Sequence, residues 1–498
     1  MEDSAGPGEV GGDAPAPASG RARLSLLLGP LLAALVWCLP LDLPEPAHRL
    51  AAVMTLVVVF WIGEPIPVAV TALLGPTLAL LLGAVPAGDA KAQVASAYAK
   101  FGDPILMLFV GGFFIAEAMT VHGLDRRVAM RILSWRAFSA TPARMVAGLA
   151  LCSCLLSMWM SNTAVTALMI PIATGMLAVA GGGARLAAPT LLTLSFAATV
   201  GGLGTPVGTA PNLIGLAQIE TLTGVRIGFL PWMLMALPLV ALMLGAVVLL
   251  MTRGLPPSTA DLRAHALAAR KALGPWTRGQ AVTASAFGLA VLLWMGTGLT
   301  QIWRGGPAQT WCEAHLPEGA VALLAASLLF IIPAAPGRPT LTWKEAARID
   351  WGTLLLLGGG LSMGDLMLKT GLASSLGSGV AQGLGISSLW GLTALAAGLA
   401  IGISELTSNT ATASMLVPVV IGIAKAAGVS PVPPALAATL GCSFGFMLPI
   451  STPPNALAYG TGRVSLGTMA RRGLVFDVIG FVVLVAGLRL LCPALGLV

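Results

Sequence analysis

Two stretches of the chain are near copies of each other: SNTAVTALMIPI at residues 161–172 and SNTATASMLVPV at residues 408–419. Both begin with a Ser-Asn-Thr triplet and carry a later proline in register. Each triplet lies midway along a long apolar stretch, 145–180 in the first copy and 388–427 in the second. A helix of about 36–40 residues would be twice as long as the ~30 Å hydrocarbon core of a bilayer. Each stretch therefore predicts either two spans or a re-entrant helical hairpin that enters and leaves by one side.

The composition around these copies is that of a membrane protein. Of 498 residues, 56% are hydrophobic and only 9% are charged, and the mean hydropathy is +0.90. Soluble domains carry roughly 25% charged residues, so this chain cannot cover a water-facing surface of its size. We predict an all-α integral membrane protein with about 11 transmembrane helices and two re-entrant hairpins. The predicted spans are 24–40, 50–63, 67–84, 104–122, 189–220, 229–251, 282–299, 318–335, 352–371, 434–460 and 474–496.

The distribution of basic residues predicts the orientation. With the N-terminus inside, 19 Lys and Arg residues fall on the inner side and five on the outer side. The positive-inside rule favours this arrangement, which leaves the C-terminus outside the bacterial inner membrane. The net charge of +7 follows from the same bias and does not indicate a nucleic-acid partner. Residues 1–22 are Gly-, Pro- and Ala-rich and are predicted to form a disordered cytoplasmic segment.

Further matches extend the self-similarity over both halves. At an offset of 247, the residues Asp103, Leu108, Gly111 and Gly112 recur as Asp350, Leu355, Gly358 and Gly359. GTPVGTAPN (204–212) is echoed by MLPISTPPN (447–455). The span count makes 104–122 run inward and 352–371 run outward. We therefore predict two inverted-topology repeats, an arrangement common in secondary transporters.

These motifs suit the binding of an alkali cation and an anion. Proline removes a backbone donor and frees carbonyl oxygens, and those oxygens together with Asn, Ser and Thr oxygens suit sodium. New helix N-termini present N–H groups to an anion. No Lys or Arg occurs at 145–184, 386–424 or 426–462, so helix ends and bound cations would have to neutralise that anion.

The quoted motifs resemble the divalent anion/sodium symporter family, specifically its dicarboxylate transporter branch. The likeness rests on SMWMSNTAVTALMIPI, TSNTATASMLVPV, GTAPNLI and MLPISTPPNAL and covers the chain from about residue 24. The resemblance implies a homodimer in which a transport part of each protomer moves as an elevator against a scaffold part. The expected divisions are scaffold at 23–140 and 281–385, transport parts at 141–253 and 386–498, and a cytoplasmic linker at 254–280.

The resemblance also implies site residues. One sodium site would use Ser157, Ser161, Asn162 and the backbone at Gly208; the other would use Ser404, Thr407, Asn409 and the backbone at Ser451. The substrate carboxylates would contact Asn162, Thr163, Asn409, Thr410, Thr452 and Pro453. The implied partners are sodium ions, a dicarboxylate and the lipid bilayer. Sodium is a co-transported ion, and no other cofactor is expected.

The predicted function is sodium-coupled uptake of C4 dicarboxylates such as succinate, fumarate and malate. A sodium-independent exchanger, a citrate or sulfate carrier and a passive anion pathway are the alternatives. No enzyme activity is expected, because the sequence contains no Walker loop, no nucleophile paired with a base and no metal-ligand spacing. Glu405, three residues before the second triplet, is interpreted either as a proton-coupling group or as support for the site, since a charge at membrane depth is costly.

Overall fold

The computed structural model describes residues 20–86, 88–181, 183–256, 262–302, 306–384 and 388–498. The predicted disordered segment 1–22 lies outside these ranges except for its last three positions, which already belong to the first helix. Arg304 and part of the predicted linker 254–280 also lie outside the described residues.

The first half of the chain is helical almost throughout. Its α-helices are α1 (Gly20–Cys38), α2 (Glu45–Gly63), α3 (Val68–Leu81), α4 (Ala90–Tyr98), α5 (Pro104–Val121), α6 (Leu124–Leu133), α7 (Arg136–Ser139), α8 (Pro142–Ser157), α9 (Asn162–Ala180), α10 (Gly183–Gly202), α11 (Ala210–Thr223) and α12 (Phe229–Thr252). Short 3-10 helices occupy Ala99–Gly102 and Pro206–Gly208.

The second half repeats this pattern of long and broken helices. Its α-helices are α13 (Leu262–Ala272), α14 (Arg278–Ile302), α15 (Pro307–His315), α16 (Glu318–Ile331), α17 (Trp343–Ala346), α18 (Trp351–Thr370), α19 (Leu372–Leu384), α20 (Leu389–Ser404), α21 (Asn409–Ala426), α22 (Val432–Gly441), α23 (Pro453–Gly460) and α24 (Leu466–Ala494). Two short antiparallel strands, β1 (Pro333–Ala335) and β2 (Arg338–Pro339), follow α16.

The described residues contain ten helices that are long and apolar enough to cross a bilayer, or eleven if α15 and α16, bent by 56°, form one span. The all-α membrane architecture is therefore confirmed. Predicted span 434–460 is helical only at its two ends, in α22 and α23, and the backbone between them is irregular. Predicted span 189–220 is likewise divided into α10 and α11. Both breaks fall at the prolines that the sequence analysis singled out.

Small residues pack helices of one half against helices of the other. A Cβ on Gly111 of α5 would lie 2.5 Å from the backbone of Ala322 in α16. A Cβ on Gly359 of α18 would lie 2.2 Å from the Ala72 carbonyl in α3. Glycine is required at both contacts because the two backbones meet there. The Gly-Gly pairs found at offset 247 thus hold the two halves together.

Candidate functional site

Both Ser-Asn-Thr triplets start a helix after a four-residue break. The first break separates α8 from α9, and the second separates α20 from α21. The N-cap residues are Ser161 and Ser408, and neither side chain accepts a hydrogen bond from the first turn of its helix. Because an α-helix leaves its first N–H groups without intrahelical partners, those groups remain available to a ligand in both halves.

The same side-chain bond closes each break. The Ser157 hydroxyl donates to Asn162 Oδ1 at 2.5 Å, and the Ser404 hydroxyl donates to Asn409 Oδ1 at 2.7 Å. The Ser404 hydroxyl also reaches the Cys442 carbonyl at 2.5 Å. Each bond brings a serine oxygen and an amide oxygen together at the start of a helix. The structure thus joins two predicted sodium ligands in each half.

An asparagine side chain stabilises the first proline break, which lies between α10 and α11. Asn212 Nδ2 donates to the Gly202 carbonyl at 2.9 Å and to the Thr205 carbonyl at 2.8 Å. These bonds replace helix bonds that the chain cannot make across the break, so the irregular backbone keeps part of its hydrogen bonding inside the protein.

The second proline break uses the same device. Asn455 Nδ2 donates to the Gly445 carbonyl at 2.9 Å and to the Leu448 carbonyl at 3.0 Å. Every one of these residues lies 243 positions after its counterpart in the first half. The two broken segments therefore share a hydrogen-bonding pattern as well as a sequence motif.

Ser157 and Ser404 are each followed by a residue whose backbone carbonyl accepts a hydrogen bond from the broken segment of the same half. The acceptor is Met158 in the first half, where the donor is the Thr205 hydroxyl. The acceptor is Glu405 in the second half, where the Ser451 hydroxyl donates at 2.9 Å. A Cβ on Gly208 would lie only 3.0 Å from the Met158 carbonyl. The backbone at Gly208 therefore lies directly beside the first triplet break, as the predicted sodium site requires.

Each broken segment also packs against the other half of the chain. Helix α11 contacts α21 and α22, and helix α23 contacts α9 and α10. The Ser195 hydroxyl of α10 donates to Asn455 Oδ1 at 2.5 Å. The motifs of the two halves are therefore interleaved in one region of the protein.

The predicted site residues differ in exposure. The partly exposed group has its polar atoms at the starts of α9 and α21 and consists of Asn162, Thr163, Asn409 and Thr410. The buried group consists of Ser157, Gly208, Ser404, Thr407, Ser451 and Thr452. Ser161 and Pro453 are exposed. The Thr452 hydroxyl accepts a hydrogen bond from the backbone N–H of Asn455 at 3.4 Å and so caps α23.

The Thr407 side chain has a contact that the sequence did not predict. Its hydroxyl donates to the Trp61 carbonyl at the end of α2, at 3.2 Å. Thr407 is 6% exposed. Its hydroxyl proton is therefore committed to α2, and only its lone pairs and its backbone carbonyl can face a cation. The second triplet break is thus tied to a helix near the start of the chain.

Sequence reasoning counted the asparagine oxygens of the proline motifs among possible cation ligands, but it did not include Asn212 and Asn455 among the site residues, and it missed Ser195 entirely. Both asparagines are fully buried. A buried amide must find partners for its two donors, so each can brace a broken segment. Ser195 shares α10 with the hydroxyl residues Thr190, Thr193 and Thr199, and only the fold reveals that it faces the opposite half.

The chemistry available at these motifs is mainly that of neutral oxygen atoms, and the Glu405 carboxylate lies beside the second motif. No group of three or more His, Cys, Asp or Glu residues within the described part of the chain is arranged to hold a metal ion. Hydroxyl, amide and carbonyl oxygens suit a hard cation bound without a high negative charge, and uncapped helix starts suit an anion. The site can therefore hold both kinds of ion side by side.

Comparison with known proteins identifies the family. The family model described as "Sodium:sulfate symporter transmembrane region" matches residues 21–497, which is almost the entire chain. The chain belongs to this family. The resemblance drawn from the four motifs is thereby confirmed, and this sodium:sulfate symporter family member is a transporter rather than an enzyme.

Curated relatives of this family member include the protein named sodium-dependent dicarboxylate transporter SdcS. The Staphylococcus aureus protein is 32% identical over 94% of this chain and 91% of its own length. The Staphylococcus saprophyticus protein is 31% identical with the same coverage.

Two solved structures share the fold at low sequence identity. The Alcanivorax borkumensis YdaH transporter, described as having an unusual topology, has a TM-score of 0.56 at 18% identity and covers 96% of this chain and 98% of its own. Neisseria gonorrhoeae MtrF, described among antimetabolite efflux pumps, has a TM-score of 0.50 at 13% identity, with coverages of 92% and 97%. Both likenesses concern the fold alone.

Proposed function

We propose that this family member takes up C4 dicarboxylates, such as succinate, fumarate and malate, together with sodium ions. The observation that carries the proposal is the pair of matched serine–asparagine clusters, each at the uncapped start of a helix. The names of the staphylococcal relatives, which describe sodium-dependent dicarboxylate transport, support the same conclusion.

Each half supplies one sodium site in this proposal. The first site uses the oxygens of Ser157, Ser161 and Asn162 and the backbone at Gly208. The second uses those of Ser404, Thr407 and Asn409 and the backbone at Ser451. Support comes from the Ser–Asn bonds and from the tight approach of Gly208 to Met158.

The substrate lies between the two triplets in this proposal. Its carboxylates take hydrogen bonds from the first turns of α9 and α21 and contact Asn162, Thr163, Asn409, Thr410, Thr452 and Pro453. Helix starts carry a partial positive charge equivalent to about half a proton, which stabilises a carboxylate without any arginine. Bound sodium ions supply the remaining positive charge.

The electrical cost explains why sodium is needed. Moving a dianion into a cell at about −100 mV costs ~4.6 kcal/mol, twice the ~2.3 kcal/mol of one charge. Two accompanying sodium ions cancel this cost, and a third reverses its sign. A neutral site that recruits its cations from solution therefore couples uptake to the sodium gradient.

The proposal includes a transport cycle and an orientation. The parts at 141–253 and 386–498 move as an elevator against a scaffold formed by 23–140 and 281–385, in a homodimer. The two halves are inverted repeats, and the triplets are the tips of two re-entrant hairpins. The N-terminus lies in the cytoplasm and the C-terminus lies outside, as the excess of inner basic residues favours.

Labelled succinate uptake into proteoliposomes tests the function. We expect an inward sodium gradient to drive accumulation, and equal potassium or proton gradients to be ineffective. Accumulation without sodium, together with stimulation by internal succinate, would identify an exchanger instead. Unlabelled citrate and sulfate serve as competitors, and stronger inhibition by either than by fumarate would reassign the substrate.

A further inference from the structure

The second half contains an acidic pair that the first half lacks. Glu405 and Asp477, on α24, are 6% and 5% exposed. The position equivalent to Glu405 at offset 247 is Met158. The Ser–Asn bonds and the asparagine bonds across the breaks are the same in both halves, whereas the carboxyl groups of this pair have no equivalent in the first half.

Glu405 is fixed in place by the broken segment. Its Oε1 accepts from the Met447 amide at 2.8 Å, and its Oε2 accepts from the Ser451 hydroxyl at 2.6 Å. Since an ionised carboxylate has about four acceptor positions, both oxygens can still bind a further partner. The carboxylate is therefore held rigidly while part of its coordination remains unused.

Asp477 is brought to the same place by close helix packing. A Cβ on Gly473 would lie 2.3 Å from the Phe446 carbonyl, so α24 touches the broken segment directly. The Phe446 and Phe476 rings meet edge to face at 4.7 Å. One residue further along α24, the Asp477 carboxyl lies beside that of Glu405.

The Asp477 carboxyl has no donor of its own. Within the described residues, no N–H or hydroxyl donor reaches either of its buried oxygens, and the side-chain group beside it is the Glu405 carboxyl. The ion pairs of the described chain involve neither Asp477 nor Glu405. Burying an unpaired carboxylate costs far more than burying a neutral group, and a second carboxylate beside it adds repulsion. The pair therefore requires a positive charge, either a proton shared by the two carboxyls or a bound cation, because no ion pair of the described chain supplies one.

We propose that Glu405 and Asp477 bind an additional sodium ion next to the second Ser–Asn cluster. The four carboxylate oxygens are hard ligands of the type that such a cation prefers. Ser451 joins the two sites, because its hydroxyl bonds to Glu405 and its backbone belongs to the proposed second site. This inference rests on the proposed sodium-coupled function and adds an ion to it.

The sodium-to-succinate ratio of the full-length protein in proteoliposomes tests the site. It is obtained from the membrane potential and sodium gradient at which net succinate flux reverses. We expect Asp477→Asn to lower the ratio by one sodium ion while uptake remains sodium-driven. The matched control is Asp365→Asn, which removes an acid of α18 that is paired with Lys369 at 2.7 Å; its ratio should equal that of the unmodified protein.

An unchanged ratio in Asp477→Asn would overturn the proposal. A changed dependence of uptake on external pH at constant sodium ratio would also overturn it, because the occupant would then be a proton. If Asp477→Asn does not transport, binding of ²²Na⁺ to the purified protein with succinate decides instead: one site fewer than in the unmodified protein supports the proposal, and an equal number refutes it. Absence of any sodium requirement in the unmodified protein would reject the proposed function itself.

Discussion

The two halves of this transporter build the same cluster and secure it differently. In the first half, the broken segment approaches the triplet through Gly208, where a side chain has no room. In the second half, the equivalent Ser451 bonds to Glu405 through its hydroxyl. Asn455 has a partner for its amide oxygen, whereas the amide oxygen of Asn212 has none within the described residues. The duplicated sequence therefore preserves the Ser–Asn bonds, while the contacts that support them differ between the halves.

The largest effect is expected from variants of the Ser–Asn clusters, which the two halves have in common. We expect Asn162→Ala and Asn409→Ala each to reduce succinate uptake by about 100-fold or more, because each removes an oxygen from a proposed cation site and a proposed contact to the charged substrate. Uptake into proteoliposomes measures the loss, and gel filtration checks that each variant keeps its fold. Near-normal uptake in both variants would remove the triplets from the site.

The next largest effect is expected at Gly208, whose counterpart in the second half is Ser451. An added methyl group in Gly208→Ala would lie 2.5 Å from the Gly202 carbonyl, so the backbone of the proposed first sodium site must shift. We expect a loss of at least about 10-fold in apparent sodium affinity, equivalent to the 1–3 kcal/mol typical of overpacking.

The matched control is Gly402→Ala in α20, where the added methyl group meets nothing within 4 Å. Its sodium dependence should match that of the unmodified protein. Equal behaviour of Gly208→Ala and Gly402→Ala would show that the first half does not depend on this close approach.

A smaller difference in thermal stability is expected between variants of Asn212 and Asn455, the two asparagines that bond across the broken segments. Asn455→Ala breaks bonds to Gly445 and Leu448 and leaves the Ser195 hydroxyl unpaired, whereas Asn212→Ala breaks only two bonds. We expect Asn455→Ala to lower the unfolding temperature further, by the equivalent of about 1 kcal/mol for the extra bond. Thermal unfolding in detergent measures the difference, and a larger loss in Asn212→Ala would reverse the comparison.

The smallest expected effect concerns a substitution that would give the amide oxygen of Asn212 a hydrogen-bond donor. Ala438 occupies the position equivalent to Ser195, 243 residues later, and a hydroxyl there would face the amide oxygen of Asn212 if the packing is repeated. We expect Ala438→Ser to stabilise the protein by about 0.5–1 kcal/mol and Ser195→Ala to destabilise it by a similar amount. Thermal unfolding of both variants checks this, and destabilisation by Ala438→Ser would show that the halves differ at this contact.

The membrane class, the helix breaks and the paired motifs could all be predicted from the sequence. Apolar length fixes the spans, and polar triplets or prolines within them mark irregular backbone. The contacts between the halves could not be predicted, because nothing in the sequence distinguishes Ser195 from the threonines of the same helix. The sequence also gives no sign that Asp477 approaches Glu405, since only the packing of Gly473 on Phe446 brings the two together.

The bond between Ser195 and Asn455 joins residues that lie 260 positions apart in the chain. At 5–20 residues per second, a ribosome needs roughly 10–50 s to complete the intervening polypeptide. Throughout that interval the early helices sit in the bilayer with polar groups whose permanent partners do not yet exist. Assembly of this transporter therefore includes a long-lived half-built stage, and the insertion machinery must shelter that stage from lipid until translation is nearly finished.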